Sequence, residues 1–149
     1  MAEPKEGYNS GVNRNVEGII GSSGAFVSTG GNTGTLASTD VDGSLTLIGT
    51  AIDVIGYDRI MVDVLPGAAA FTAFSILISA DGTTYSTAYN TSGDFTTPSG
   101  ILVGTSGDLT ILGAATHGWF ILDVTGVNSI QIKAQAGATS LATASWSAS

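Results

Sequence analysis

The stretch FTAFSILISADGTTYSTAY, residues 71–89, decides the fold class. Apolar and polar side chains alternate on both sides of Ala80-Asp81-Gly82-Thr83, and Asp-Gly is a strong signal for a tight hairpin turn. A period of two residues indicates strands that bury one face only, as in antiparallel sheets. The stretch therefore predicts a β-hairpin made of Phe71–Ser79 and Thr84–Tyr89.

The same pattern continues along the chain from residue 25 onward. Short apolar runs separated by Gly, Asp, Asn and Ser turns predict an all-β domain over residues 25–149, an antiparallel, jelly-roll-like β-sandwich. The other predicted strands are Ala25–Ser28, Thr35–Ser38, Ser44–Ile48, Ile52–Ile55, Arg59–Leu65, Ile101–Val103, Leu109–Leu112, Trp119–Val124, Ser129–Gln135 and Ser140–Trp146. The sequences of residues 43–49 and 107–113 are weakly similar. Either an internal duplication or the general likeness of short strands would explain this similarity.

Residues 1–24 differ from the rest in composition. They hold all the glutamates and few apolar side chains. We interpret them as an extended N-terminal arm, because 24 extended residues span about 80 Å and could lie on a neighbouring subunit. A disordered terminus explains the composition equally well.

Charged side chains are scarce: four Lys and Arg stand against twelve Asp and Glu, for a net charge of −8. Nucleic acids and anionic membranes select clustered basic residues, so neither is an expected partner. The chain has no cysteine, and its one histidine, His117, lies in a predicted turn. We expect no enzyme, no catalytic residue and no cofactor, and a surface partly covered by other chains.

The candidate binding residues are few. Asp40 and Asp42 begin an Asp-x-Asp-Gly pattern like that of a calcium loop, but the later ligands are missing, so an Asp-Gly turn competes with a weak metal site. Trp119 lies on the opposite side of its predicted strand from Phe120, which belongs to the buried side. Trp119 is therefore predicted to point outward and to act as an interface anchor or as a platform on which a sugar stacks. The low charge favours the interface, for which the further candidates are Tyr8, Arg14, Tyr85 and Tyr89.

The second half of the chain resembles a β-sandwich module common in virion proteins of tailed bacteriophages. The resemblance covers about residues 58–149 and rests on the Ser79–Tyr85 hairpin, the segment Gly118–Val127, the strand Ile130–Lys133 and the closing small-residue strand 141–149. Tyr85 stands where that module more often has Trp, and Gln131 and Lys133 stand where an Arg is usual.

This resemblance implies a structural virion protein, and a capsid decoration (cement) protein fits best. Such a protein would bind the outer surface of a phage capsid and bridge capsomers, with the major capsid protein and copies of itself, as a homotrimer, for partners. It would be located on the virion and, during assembly, in the host cytoplasm. A tail, fibre or neck component and a carbohydrate-binding module are the alternatives.

Overall fold

The computed structural model describes residues 32–91 and 101–149, with the backbone alone for 89–91. The predicted arm (1–24), with Tyr8 and Arg14, and the predicted strand Ala25–Ser28 lie outside these residues. The described elements are β1 (Asn32–Asp40), β2 (Thr46–Leu47), β3 (Ile52–Asp53), β4 (Arg59–Leu65), β5 (Phe71–Ser79), β6 (Ser86–Thr91), β7 (Leu102–Thr105), a 3-10 helix (Leu109–Ile111), β8 (Gly118–Asp123), β9 (Ser129–Ala136) and β10 (Leu141–Ala148). No helix in the described parts of the chain is long and apolar enough to cross a bilayer.

The strands form two antiparallel sheets. Sheet A has the order β1-β10-β4-β8-β7, and sheet B has the order β2-β9-β5-β6, with β3 also pairing with β9. With β2 and β3 taken as one interrupted strand and β7 as an added edge strand, these are the B-I-D-G and C-H-E-F orders of a jelly roll. The predicted antiparallel sandwich is confirmed.

The core lies between the sheets and follows from the two-residue alternation. On β4, Ile60, Val62 and Val64 are fully buried, while the residues between them face outward. Phe74 of sheet B meets Phe120 of sheet A edge to face, with ring centroids 5.9 Å apart. Fully burying one such side chain contributes about 1.5–3 kcal/mol, so the aligned inner faces hold the two sheets together.

One predicted strand is a helix instead. Leu109–Ile111 forms a 3-10 turn, because the Asp108 carboxylate accepts a hydrogen bond from the Thr110 N–H and caps it. The segment 43–49 contains β2. The two segments with similar sequences therefore have different structures, and their similarity at a spacing of 64 residues does not mark a structural repeat.

A different repeat is present at one end of the sandwich. Asp53-Val54-Ile55-Gly56 joins β3 to β4, and Asp123-Val124-Thr125-Gly126, 70 positions later, joins β8 to β9. In both turns the Asp carboxylate accepts a 3.0 Å hydrogen bond from the N–H two residues on. Each turn buries its valine completely, and each ends on a glycine, with φ of 83° or 80°.

The two turns also bond to each other reciprocally. The Val54 N–H donates to the Asn128 carbonyl (3.0 Å), and the Val124 N–H donates to the Asp58 carbonyl (2.8 Å). Strand pairing repeats with the same offset of 70 positions. Ile52 pairs with Ile130, and their counterparts Leu122 and Ile60, 70 positions after Ile52 and 70 before Ile130, pair with each other. The segments β3-β4-β5 and β8-β9-β10 are thus related by an approximate internal two-fold.

This repeat predicts matched costs for glycine substitutions. A Cβ at Gly56 or Gly126 would meet nothing within 4 Å, so the positive φ alone opposes Gly56→Ala and Gly126→Ala. We expect each to lower the free energy of unfolding by about 1 kcal/mol in urea titrations. The control is Gly137→Ala, whose Cβ would make an ordinary 3.8 Å contact with Thr72. An equal loss in the control would refute the argument.

Candidate functional site: the outer face of sheet A

The outward side of sheet A carries apolar side chains where a solvated sheet would carry polar ones. We define the outer face by Met61, Asp63 and Leu65 of β4 and by Trp119 and Ile121 of β8. Met61 is 42% exposed, and the other four are partly exposed. Contiguous apolar side chains on a surface mark an interaction site more often than scattered ones do.

Strand register assembles this face from four strands. Asp63 lies opposite Trp119 on β8 and opposite Ser145 on β10, and Met61 lies opposite Ile121 and Ser147 in the neighbouring row. On β1, Thr35 and Thr33 continue the two rows. The apolar side chains and Asp63 are therefore bordered by hydroxyl groups, which can hydrogen-bond to a partner and cost less to bury than charged groups would.

Trp119 is the largest side chain of the outer face. Its ring lies over Gly104 of β7, where a Cβ would be 3.6 Å from the ring. The Trp119 N–H donates to the Ser106 hydroxyl at 2.9 Å, and the Trp119 carbonyl accepts from the Ser106 N–H, also at 2.9 Å. The ring thus points outward, as the alternation predicts, and is held in place by the edge strand.

An acid–imidazole pair lies beside the tryptophan. His117 Nδ1 is 2.6 Å from the Asp63 carboxylate, and the histidine side chain is 68% exposed. The pair borders a shallow depression of about 290 Å³ that Thr143 and Ser145 also line. The pair places a hydrogen-bond donor and a hydrogen-bond acceptor next to each other on the outer face.

An Arg–Asp pair lies at the other end of the face. Arg59 lies opposite Asp123 across β4 and β8. The Thr125 N–H donates to the Asp123 carboxylate and, with the nearby Arg59 charge, lowers the pKa of Asp123. The charges at this end oppose each other and add no net charge to the face.

Sheet B presents a different outward surface. The residues of β9 that alternate with its buried positions are Gln131, Lys133 and Gln135, all partly exposed. Gln135 also donates to the Gly43 carbonyl at 3.2 Å. Leu47 of β2 and Leu77 of β5 lie beside Lys133 and Gln131, so the few apolar side chains on this side alternate with polar ones. Sheet A groups its apolar side chains on two adjacent strands and is the better candidate for contact with a partner.

Tyr85, one of the predicted interface residues, lies away from this face. The Tyr85 hydroxyl is 2.7 Å from the Ser129 hydroxyl, which fixes Tyr85 to the hairpin end of sheet B. The register shift between Ile76 and Leu77 interrupts the alternation along β6, and the Tyr89 backbone lies opposite Ile76. The Tyr89 side chain, like Tyr8 and Arg14, lies outside the described structure.

Asp40, one of the two acidic candidates for a metal site, has another role in the described structure. One Asp40 oxygen accepts hydrogen bonds from the N–H groups of Asp42 and Ser140, each at 3.1 Å. Ser140 is buried, so Asp40 joins β1 to the start of β10. Within residues 32–91 and 101–149, no three His, Asp or Glu side chains cluster in a way that could hold a metal ion.

Comparison with known proteins gives one structural likeness. No family model and no curated protein matches the sequence. The fold is similar to that of the SPBc2 prophage-derived protein YomS, with a TM-score of 0.52 and 9% sequence identity. The match covers 83% of this chain and 98% of YomS. At this sequence identity the likeness is one of fold alone, and it extends over nearly the whole of YomS.

Sequence reasoning found Trp119 but missed the residues around it. The outward position of Met61 and Ile121 follows from the same alternation that placed Ile60 and Phe120 inside. The pairing of Asp63 with His117, 54 positions apart, has no local signal, because it depends on the register of β4 with β8.

The hairpin that carries Tyr85 predicts a dependence of stability on pH. The N–H groups of Thr84 and Thr83 and the Ser79 hydroxyl all donate to Asp81 and lower its pKa below the ordinary 3.8. The ionised carboxylate therefore stabilises the fold above pH 3.8, and this contribution is lost as the pH falls towards the lowered pKa.

Asp81→Asn removes the titrating group and retains one acceptor oxygen. We expect the parent chain to lose more unfolding free energy than this variant when urea titrations at pH 6 and pH 3 are compared. Equal losses in the two proteins would show that Asp81 does not couple folding to pH.

Proposed function

We propose that this chain is a structural protein of a tailed-phage particle that decorates the outside of the capsid. The observation that carries the proposal is the outer face of sheet A, where four apolar side chains lie around the Asp63 carboxylate and Ser and Thr hydroxyls form the border. The jelly roll is a common architecture of viral capsid proteins, and a prophage-derived protein has a similar fold. The resemblance of residues 58–149 to virion modules supports the same function.

The size of the face sets the strength of one contact. The four strands that carry the face, about 4.8 Å apart and each about seven residues long at about 3.3 Å per residue, give an area on the order of 450 Å². A stable interface buries about 800 Å² on each partner. One such face would therefore bind weakly on its own.

A trimer would overcome this weakness. Once one subunit of a trimer has bound the shell, the other two are held near their own sites, so the effective concentration is high and the contacts reinforce one another. The proposed assembly is a homotrimer whose three outer faces rest on the major capsid protein and bridge neighbouring capsomers.

The binding test uses shells of a phage that encodes this chain, stripped of the protein and mixed with purified variants. Met61→Asp puts a charge in the centre of the outer face, and we expect binding to fall at least about tenfold in co-sedimentation, because a buried unpaired charge is costly. The control is Ile111→Asp, at a 70% exposed position on the 3-10 helix, which packs against β5 of sheet B. Equal binding by both variants would exclude the outer face as the attachment surface.

Location and assembly are tested separately. Gold-labelled antibodies on intact particles should mark the head, and label confined to the tail, fibre or neck would replace the decoration role with that alternative. Sedimentation velocity of the purified chain should show a trimer, or a monomer that forms trimers on the shell. A stable monomer on the shell would contradict the bridging model.

A further inference from the structure

The sandwich has a second candidate surface on the side where β1 of sheet A faces β3 of sheet B. A groove of about 610 Å³ opens there between the sheets. This volume lies within the roughly 300–1,000 Å³ typical of small-molecule sites. The groove and the outer face share Thr35 at their border but lie on different sides of sheet A, because Trp146, which lines the groove, lies opposite the buried Val62 and so faces inward.

Trp146 of β10 forms the floor of the groove. It pairs with Gly34 of β1, and a Cβ at Gly34 would lie 2.6 Å from the indole ring. The ring therefore lies across the glycine, in space that any side chain at position 34 would fill. The indole packs against Gly34 on β1 and is only partly buried, so part of the ring is exposed in the groove.

The opposite wall comes from β3 and the turn that follows it. Ile55 is 60% exposed at the rim, and Tyr57, whose N–H donates to the Val54 carbonyl, contributes a second aromatic side chain. Asp53 is fixed by the 3.0 Å hydrogen bond that its Oδ1 accepts from the Ile55 N–H. The lining thus combines two aromatic side chains with a positioned carboxylate.

The polar groups indicate the kind of ligand. Asn32 lies on one wall, and Thr50 and Asp53 lie on the other, so an amide, a hydroxyl and a carboxylate border the aromatic floor. Among the described residues that line the groove, none is Lys or Arg, which disfavours phosphates and other anions. One basic side chain of a partner protein would suit Asp53 but would fill only a small part of 610 Å³.

We propose that this groove binds a neutral saccharide of two or three pyranose rings. The C–H face of one sugar ring would stack on Trp146, and its hydroxyls would donate to Asp53 and exchange hydrogen bonds with Asn32 and Thr50. Stacking on a fixed indole with hydrogen bonds around the ring edge matches an amphipathic ring in both shape and polarity. This proposal does not depend on attachment to a capsid.

The test uses the full chain carrying Trp119→Phe, so that Trp146 is the one remaining tryptophan reporter. The chain is screened on an array of neutral and charged glycans, and positive neutral oligosaccharides are titrated while Trp146 emission is recorded. We expect a saturable change in emission for at least one neutral oligosaccharide. Binding of no neutral glycan on the array would overturn the proposal.

Two variants assign the binding to the groove. Asp53→Ala removes the carboxylate, and Trp146→Phe shortens the stacking surface without emptying it. Each is expected to weaken binding of the positive oligosaccharide about tenfold or more in isothermal titration calorimetry. The matched control is Asp63→Ala, which removes the same charge from the outer face and should leave sugar binding unchanged.

The remaining outcomes are equally decisive. Sugar binding that survives both groove variants but is lost in Asp63→Ala would move the site to the outer face and overturn the proposal. Saturable binding of N-acetylarginine amide, with no neutral glycan bound, would show a pocket for a basic side chain instead. A failure of capsid binding with intact sugar binding would count against the proposed function alone.

Discussion

The contact between the inner faces of the two sheets is the constraint on which the rest of the molecule depends. Phe74 and Phe120 meet across the interior, each on a strand whose alternate residues are buried. Neither sheet has another way to remove these side chains from water. Because the inward positions are fixed by packing, the outward positions of the same strands are fixed as well. The exposure of Met61, Trp119 and Ile121 is therefore a consequence of the core, and their apolar character calls for a separate explanation.

The internal two-fold shows how the two sheets are kept in register. The turns at 53–56 and 123–126 each carry the chain from one sheet to the other, and each hydrogen-bonds the residue that follows the opposite turn. A shift by one residue of β3 against β9, or of β8 against β4, would break the bond at that turn and turn the apolar side chains of the shifted strand outward. Asp53 belongs to one of these turns and also borders the groove, so the same local geometry that closes the fold positions a candidate ligand contact.

Low charge and an apolar outer face support one interpretation of the surface. A protein with few ionised side chains gains little from long-range electrostatic attraction, so its contacts depend on buried area and hydrogen bonds. The outer face of sheet A offers both apolar area and hydrogen-bonding groups. Its area is small for a single stable interface, which favours attachment of several linked copies. The groove beside Trp146 has a different composition, with aromatic side chains and one carboxylate. Attachment through one surface would leave the other free to bind a glycan.

The sequence by itself determined the strand pattern, the hairpin at Asp81-Gly82, the outward direction of Trp119 and the poverty of charge. These features are local, because the two-residue alternation of a strand and the turn preference of Asp-Gly do not require distant partners. The 3-10 turn at Leu109 was missed because the cap from Asp108 outweighs a short apolar run. The Asp63–His117 pair, the reciprocal turns and the groove over Gly34 were decided by tertiary structure. Each depends on strand register or on sheet-to-sheet distance, which is set by the packing of residues far apart in the chain.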